Sequence, residues 1–290
     1  MPATIIDGKK IGQKIREEAK ARAAALKEKG VTPCLAVILA GEDPASLSYV
    51  GAKGKALAEA GMGSRDFRLP ASVPEEELLS IIAKLNADDK VHGILVQLPL
   101  PGQINEERVI NAIAPAKDVD GFHPVSVGNM VMGRPSFLPC TPHGVMVLLR
   151  EMNIPLSGAH VVVVGRSNIV GKPLANLLSN RNVNATVTMC HTGTSNLAHH
   201  TKQADILIAA AGKPGLITAE MVRPGAAVID VGVNRVNDQS AKKGYRLCGD
   251  VDFAAVSVKA GYITPVPGGV GPMTIAMLLQ NTVQAAEVSR

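Results

Sequence analysis

Four valines in succession, Val161 to Val164, run straight into Gly165-Arg-Ser-Asn-Ile-Val-Gly171-Lys-Pro173. No other stretch constrains this chain as much. Consecutive β-branched residues without polar alternation suit a parallel strand covered on both faces. The glycines let the backbone turn tightly and approach a ligand, and a helix starting beyond them offers unpaired N–H groups to a phosphate. Strand, glycine turn and helix start form the layout of a dinucleotide-binding βα unit. The spacing is G-x-S-x-x-x-G rather than G-x-G-x-x-G, so a tight turn in an ordinary α/β core also fits.

The next strand expected is Ala185-Thr-Val-Thr-Met-Cys190. Sites that select NAD usually carry an acid at the end of that strand, to hold the ribose 2′-hydroxyl. Here it runs into His191 and Thr192, with no carboxylate. Arg166, inside the glycine turn, is either a solvated surface arginine or a partner for a 2′-phosphate. The missing acid and the added arginine both point to NADP.

A chain of 290 residues is longer than one hydrophobic core usually holds, so two domains are expected. No apolar run approaches the roughly 20 residues that span a bilayer. The start, Met1-Pro-Ala-Thr-Ile-Ile-Asp-Gly-Lys-Lys10, lacks the basic-then-apolar pattern of a signal peptide, and a cytoplasmic protein is expected. The net charge of +5 is scattered, and three tyrosines and four phenylalanines leave little for stacking bases, which argues against nucleic acid. Cys34, Cys140, Cys190 and Cys248 stand alone without C-x-x-C spacing, and the histidines form no H-E-x-x-H. No metal and no disulfide is expected.

Periodicity predicts alternating helices and strands: helix Lys9–Lys29 on the stripe Ile11, Ile15, Ala19, Ala23 and Leu26, then strand Leu35–Leu39. Helix Ala45–Ala60, strand Ser64–Leu69, helix Pro74–Asn86, strand Gly93–Gln97 and helix Asn105–Ala112 follow. Residues 115–142, rich in Gly, Pro and His, read as irregular, before a helix from His143 to Met152. Strands His160–Val164, Ala185–Cys190, Ile206–Ala210 and Ala227–Val231 build the second half, and a last helix, Ile275–Val288, is placed back with the first. The expected fold is α/β with two domains, an N-terminal α/β domain and a Rossmann-like NADP-binding domain, with a cleft between them. The boundaries are 1–139, completed by 270–290, and 140–269.

Four further segments could carry chemistry. Pro44 suits a first helical position after Asp43 as cap, and Tyr49 and Lys53, four apart, share a face at the rim of a stripe of Leu47, Val50 and Leu57. Gln97 ends an apolar strand and must find partners or sit at an opening. In Lys117-Asp118-Val-Asp120-Gly-Phe-His-Pro124 the acids either cap the loop or grip a ligand's amino groups. Thr264-Pro-Val-Pro267-Gly268-Gly269-Val-Gly271-Pro272-Met-Thr274 lacks the lysine of a phosphate loop and reads as a stiff wall against a flat ligand.

These segments, with Val96-Gln-Leu-Pro-Leu-Pro101, Pro139-Cys-Thr-Pro142 and the Gly165–Pro173 turn, occur in the same order in one family. The chain resembles the bifunctional methylenetetrahydrofolate dehydrogenase/cyclohydrolases over nearly its whole length. The resemblance implies NADP-dependent oxidation of 5,10-methylenetetrahydrofolate to the methenyl cation, then hydrolysis to 10-formyltetrahydrofolate. It implies Lys53 as general acid/base, Gln97 hydrogen-bonded to it, Tyr49 stacked on the aminobenzoate ring, and Asp120 anchoring the pterin or relaying a proton. Substrate contacts are implied at Leu98, Pro267, Gly268 and Gly269, and cofactor contacts at Gly165, Arg166, Ser167, Ile169, Val170, Thr192, Gly232 and Val233. A folate substrate, free or polyglutamylated, and a homodimer formed through the nucleotide domain are also implied. Thr192 and Ser126 stand where the family often has serine and asparagine. Alternatives are a member with dehydrogenase activity only, another reductase of small acids, and a non-catalytic nucleotide-binding sensor; intact Lys53 speaks against the last.

Overall fold

Cys34-Leu-Ala-Val-Ile-Leu-Ala40 is apolar and buried at every position, which marks the middle strand of a sheet rather than an edge. A computed structural model describes residues 2–240 and 244–289. Its first elements are β1 (Thr4–Ile5), α1 (Gly8–Glu28), β2 (Cys34–Ala40), α2 (Pro44–Glu59), β3 (Gly63–Leu69), α3 (Glu75–Asn86), β4 (Gly93–Val96) and α4 (Glu106–Ala112). Next come α5 (Pro124–Val131), α6 (Cys140–Glu151), β5 (His160–Val164), α7 (Gly171–Ser179), β6 (Thr186–Cys190), α8 (Leu197–Thr201), β7 (Ile206–Ala209) and β8 (Ala227–Asp230). The chain closes with β9 (Asn234–Asn237), β10 (Tyr245–Cys248), α9 (Phe253–Ser257), β11 (Tyr262–Ile263) and α10 (Val270–Val288).

Two compact units result: Gln13–Cys140 with Ile275–Arg290, and Met1–Gly12 with Thr141–Thr274. The first holds a parallel sheet of order β3-β2-β4, in which Leu35 pairs with both Ser64 and Gly93. One face packs Ala36, Ile38, Ile94 and Val96 against Leu78, Ile82 and Leu85 of α3 and Val109 of α4. Each large aliphatic buried there contributes about 1.5–3 kcal/mol. Within this unit Arg22 of α1 makes a two-pronged ion pair with Glu287 of α10, at 3.1 and 2.7 Å.

The second unit holds a six-stranded sheet of order β1-β11-β8-β7-β5-β6, parallel at every pairing. The chain steps from β5 outward to β6, then returns to the other side of β5 for β7. Strand order therefore reverses at β5, and the crevice beyond its carboxyl end is where open α/β sheets bind ligands. Val162 and Val164 pack with Leu207, Ala209 and Val228 on one face of the sheet. The first twelve residues join this unit because β1 pairs with β11.

Residues 115–142 are not irregular throughout. Pro124–Val131 is helical, Pro115–Lys117 forms a turn of 3-10 helix, and α6 begins at Cys140. Pro124 occupies the first helical turn, and the His123 ring Nδ1 caps it by accepting the Val125 N–H at 3.1 Å. Proline breaks a helix in its interior but suits its first position. Likewise α10 begins at Val270, with Pro272 in its first turn, earlier than the expected Ile275. The β9–β10 antiparallel pair was outside the expected pattern.

Candidate active site

On α2 the carboxyl of Asp43 caps the helix by accepting the Ser46 N–H at 2.8 Å. The buried stripe is Ser46, Val50, Lys53, Leu57 and Ala60, spaced four, three, four and three. Lys53 thus sits in the middle of the buried face, 7% exposed, rather than at its rim. Leu47, expected in that stripe, is instead 37% exposed, because the face turned inward lies on the other side of Val50. Tyr49, a turn before Lys53, lies at the surface boundary, and partial burial raises its phenol above the usual range.

A lysine in an apolar stripe needs a partner. Nζ of Lys53 donates to Oε1 of Gln97 at 3.0 Å. Gln97 follows the last residue of β4, and its main-chain N–H donates to the Ile38 carbonyl, which fixes where the side chain starts. Its own amide donates to the Leu98 carbonyl at 2.7 Å, just before the cis Leu98–Pro99 bond. The glutamine is therefore held at both ends, with its oxygen turned to the ammonium.

Asp120 is half-buried. Loss of water raises its carboxyl above the usual carboxylate range, while the positive charge of Lys53 and a hydrogen bond to Cys140 oppose that rise. A small cavity, about 10 Å³, adjoins it, lined by Ile94, Val96, Leu98, Asp118 and Phe122. Lys53, Gln97, Asp120 and Cys140 make one cluster: an amine, a neutral acceptor, a carboxyl raised above its usual range by burial, and a thiol pushed well above its ordinary range by burial. Such a set can move a proton and hold a ligand carrying N–H donors.

Asp118 takes the structural role. Its carboxyl accepts the N–H groups of Phe122 and His123 and the hydroxyl of Ser126 at 2.7 Å, so it shapes the loop and the start of α5. Lys117 straps that loop to the Leu85 and Asp88 carbonyls.

In the second unit Gly165 has φ +134°, and a Cβ there would lie 2.1 Å from the Ala210 carbonyl oxygen. A Cβ on Gly171 would meet the Gly165 carbonyl oxygen at 2.2 Å. Both glycines are therefore required for the turn to close against the loop after β7. Oγ of Ser167 accepts the Val170 and Gly171 N–H groups at 3.1 and 3.4 Å. The first amides of α7, expected to be unpaired, are thus partly engaged by the turn itself, and the Ser167 hydroxyl hydrogen can still be donated to a phosphate. Arg166, Ile169, Thr192 and Val233 are exposed, Val170 is half-buried and Gly232 is buried; all follow the carboxyl ends of β5, β6 and β8. The residues present suit a dinucleotide: a turn pinched by two glycines, a helix start and an arginine.

Sequence reasoning missed a pair of buried acids behind those loops. Asp230 accepts the N–H groups of Gly232, Asp250 and Val251, and burial raises its carboxyl to about 6. Asp250 accepts the N–H groups of Ala211 and Gly212 and the Asn234 side-chain amide. The signal was available, since Asp230 ends an apolar strand just as Gln97 does. The glycines of Pro267-Gly268-Gly269 serve packing in this unit: the Lys9 N–H donates to the Gly268 carbonyl, and a Cβ on Gly8 would lie 1.7 Å from the Gly269 oxygen. Larger open volume, about 710 Å³, lies beside β10 and α9, lined by Asp230, Arg246, Leu247, Phe253 and Val266, away from the glycine turn. Among the described residues no cluster of His, Cys, Asp or Glu could hold a metal.

Comparison with known proteins gives a consistent result. The model of the tetrahydrofolate dehydrogenase/cyclohydrolase catalytic domain matches residues 6–120, and that of its NAD(P)-binding domain matches residues 139–290. Bifunctional protein FolD of Exiguobacterium sibiricum is 60% identical, over 98% of this chain and all of its own. The crystal structure of the bifunctional enzyme FolD from Campylobacter jejuni is 51% identical with a TM-score of 0.93, covering 98% of this chain and 99% of that one. The Trypanosoma brucei enzyme, solved with NADP cofactor and inhibitor, is 42% identical with a TM-score of 0.95, covering 99% and 98%.

Proposed function

This chain belongs to the tetrahydrofolate dehydrogenase/cyclohydrolase family, and from that premise we propose how its residues divide two linked reactions. It is a bifunctional enzyme that oxidises 5,10-methylenetetrahydrofolate and hydrolyses the resulting 5,10-methenyl cation to 10-formyltetrahydrofolate. NADP⁺, when bound, supplies the hydride acceptor. Loss of hydride from an N–CH₂–N bridge leaves a cation shared by two nitrogens and demands alignment, not proton transfer. Hydrolysis does demand proton transfer, and the buried Lys53 with its Gln97 partner and Asp120 beside it is the observation that carries this assignment.

Lys53 serves as general acid/base on the attacking water and the departing ring nitrogen. Gln97 holds the ammonium in place. Asp120 anchors the pterin's N–H edge, a task suited to a carboxylate with acceptor oxygens. Tyr49, half-sheltered, stacks on the aminobenzoate ring, and Leu98, Pro267, Gly268 and Gly269 contact the substrate. The nucleotide takes Gly165, Ser167, Ile169, Val170, Gly232 and Val233, with Arg166 and Thr192 reading the 2′-phosphate.

The finer assignments rest on the family resemblance: a homodimer formed through the nucleotide domain, folate with or without a polyglutamate tail, and a cytoplasmic location. The domain bounds proposed from the sequence are 1–139 with 270–290, and 140–269; they differ from the compact units chiefly at residues 1–12, which join the second unit. Among the described residues no helix is long and apolar enough to cross a membrane. Mixing methenyltetrahydrofolate with the protein in the absence of nucleotide tests the second reaction. Decay well above the spontaneous rate supports it; decay at the spontaneous rate leaves a dehydrogenase alone.

A further inference from the structure

Asn281 lies on α10, the long closing helix, and is 2% exposed. Its neighbours there are overwhelmingly apolar: Met277, Leu278, Leu279, Val283 and Ala285 are all buried. An amide at such a position must have its hydrogens taken up. Nδ2 donates to the Val119 carbonyl at 2.8 Å and to the Leu138 carbonyl at 3.0 Å. Two N–H bonds thus meet two main-chain acceptors more than a dozen residues apart in sequence. The Cys140 sulfur lies 3.8 Å from the same nitrogen, and Cys140 itself donates to the Val119 carbonyl at 3.5 Å.

Those acceptors flank the proton-transfer cluster. Val119 immediately precedes Asp120, and Leu138 stands two residues before Cys140. The two strands of chain already touch at Gly121, with φ +73°, where a Cβ would lie 2.6 Å from the Pro139 nitrogen. Asn281 ties the same two segments together one residue before Asp120. We propose that Asn281 is a positioning residue for catalysis: by clamping the Val119 and Leu138 carbonyls it sets where Asp120 and Cys140 stand relative to Lys53. This rests on the folate reading of the Lys53–Asp120 cluster and deepens it. The clamp is neutral and donor-only toward the chain, so it adds no charge beside the carboxylate it places.

The test replaces Asn281 by leucine, which has the same branched outline of four side-chain heavy atoms though bulkier methyl ends and removes both donors, and by serine, which leaves room for a water to reach the carbonyls. Methylenetetrahydrofolate oxidation and methenyl hydrolysis are measured with each folded variant, together with NADP affinity and the pH profile of hydrolysis. In Asn281→Leu the expected result is a folate KM raised roughly tenfold in both reactions, since Asp120 serves both. The acid limb of the hydrolysis profile shifts, and NADP affinity is unchanged. Asn281→Ser falls between. A residue that only stabilises the fold would lower apparent kcat in both reactions and leave KM and the pH profile alone, which overturns the proposal. If the leucine variant does not fold, the serine variant decides: wild-type folate KM and pH profile there overturn it equally. Wild-type protein that hydrolyses no methenyl compound fails the folate reading itself, and the inference falls with its premise. An active wild type with indifferent Asn281 variants fails the inference alone.

Discussion

Lys53→Met probes the assignment of roles most sharply, because methionine matches the lysine stem and lacks the ammonium. Structurally the exchange is close to balanced. The position is buried between Val50 and Leu57, so a thioether packs where a desolvated cation stood. Against that gain, Gln97 loses the donor that meets its oxygen at 3.0 Å, and an unsatisfied acceptor costs about 1–3 kcal/mol. Gln97 is only half-buried, so water can repair part of that loss and the net change in folding free energy should stay within about 2 kcal/mol. Catalysis is not balanced. General acid–base assistance contributes about 10²–10⁴-fold, or roughly 3–5.5 kcal/mol of barrier, and no second group of the cluster is cationic. Hydrolysis of methenyltetrahydrofolate should therefore fall by at least about a hundredfold, while NADP binding persists. Without the opposing charge, the carboxyl of Asp120 should rise further from its usual range. The assay follows methenyl absorbance in folded variant and wild type, with the spontaneous rate subtracted. Hydrolysis within a few-fold of wild type in the variant would refute Lys53 as the proton-transfer group.

Arg166→Ala should weaken NADP by about 1.5–3 kcal/mol, the scale of a hydrogen bond to a charged group, and leave NAD unaffected; titrations showing equal losses for both nucleotides would remove Arg166 from the 2′-phosphate. Gly165→Ala should abolish nucleotide binding, because the new Cβ would meet the Ala210 carbonyl oxygen at 2.1 Å in a backbone conformation at φ +134°; undiminished binding by calorimetry would show that the turn relaxes freely. Asp230 holds its proton up to about 6 when folded, above the unfolded carboxyl, so the folded state is favoured below about pH 4 and loses that advantage as pH rises through 6. The loss is on the order of 3 kcal/mol, and denaturant titrations of wild type and Asp230→Asn across that window should differ in pH slope; parallel slopes would contradict it.

The run Val161–Val164 and the glycines after it were legible because sterics dictate them: a strand covered on both faces needs continuous apolar residues, and positions 165 and 171 tolerate no Cβ. Helix α5 was hidden for the opposite reason, since its start is made by a proline and by capping from His123 and Asp118, residues that composition alone assigns to loops. Strands β1 and β11, two residues each, are too short for any periodicity to show. A stripe of Leu47, Val50 and Leu57 puts Lys53 at the rim, but Leu47 is 37% exposed and the face turned inward centres on Lys53. Its burial becomes intelligible only with Gln97, 44 positions away, supplying the acceptor. Asn281 was likewise unreadable until the Val119 and Leu138 carbonyls came together. Long-range satisfaction of polar groups, not propensity, separates what was visible from what was not.

The most direct measurement presents methylenetetrahydrofolate to the wild-type protein with NADP⁺ or NAD⁺ and follows reduced nicotinamide together with the methenyl intermediate. Faster reduction of NADP⁺, with methenyl compound that is consumed faster than it decays spontaneously, is the predicted result. Reduction of neither nucleotide, or methenyl compound that accumulates and decays only at the spontaneous rate, would contradict two linked activities in this chain.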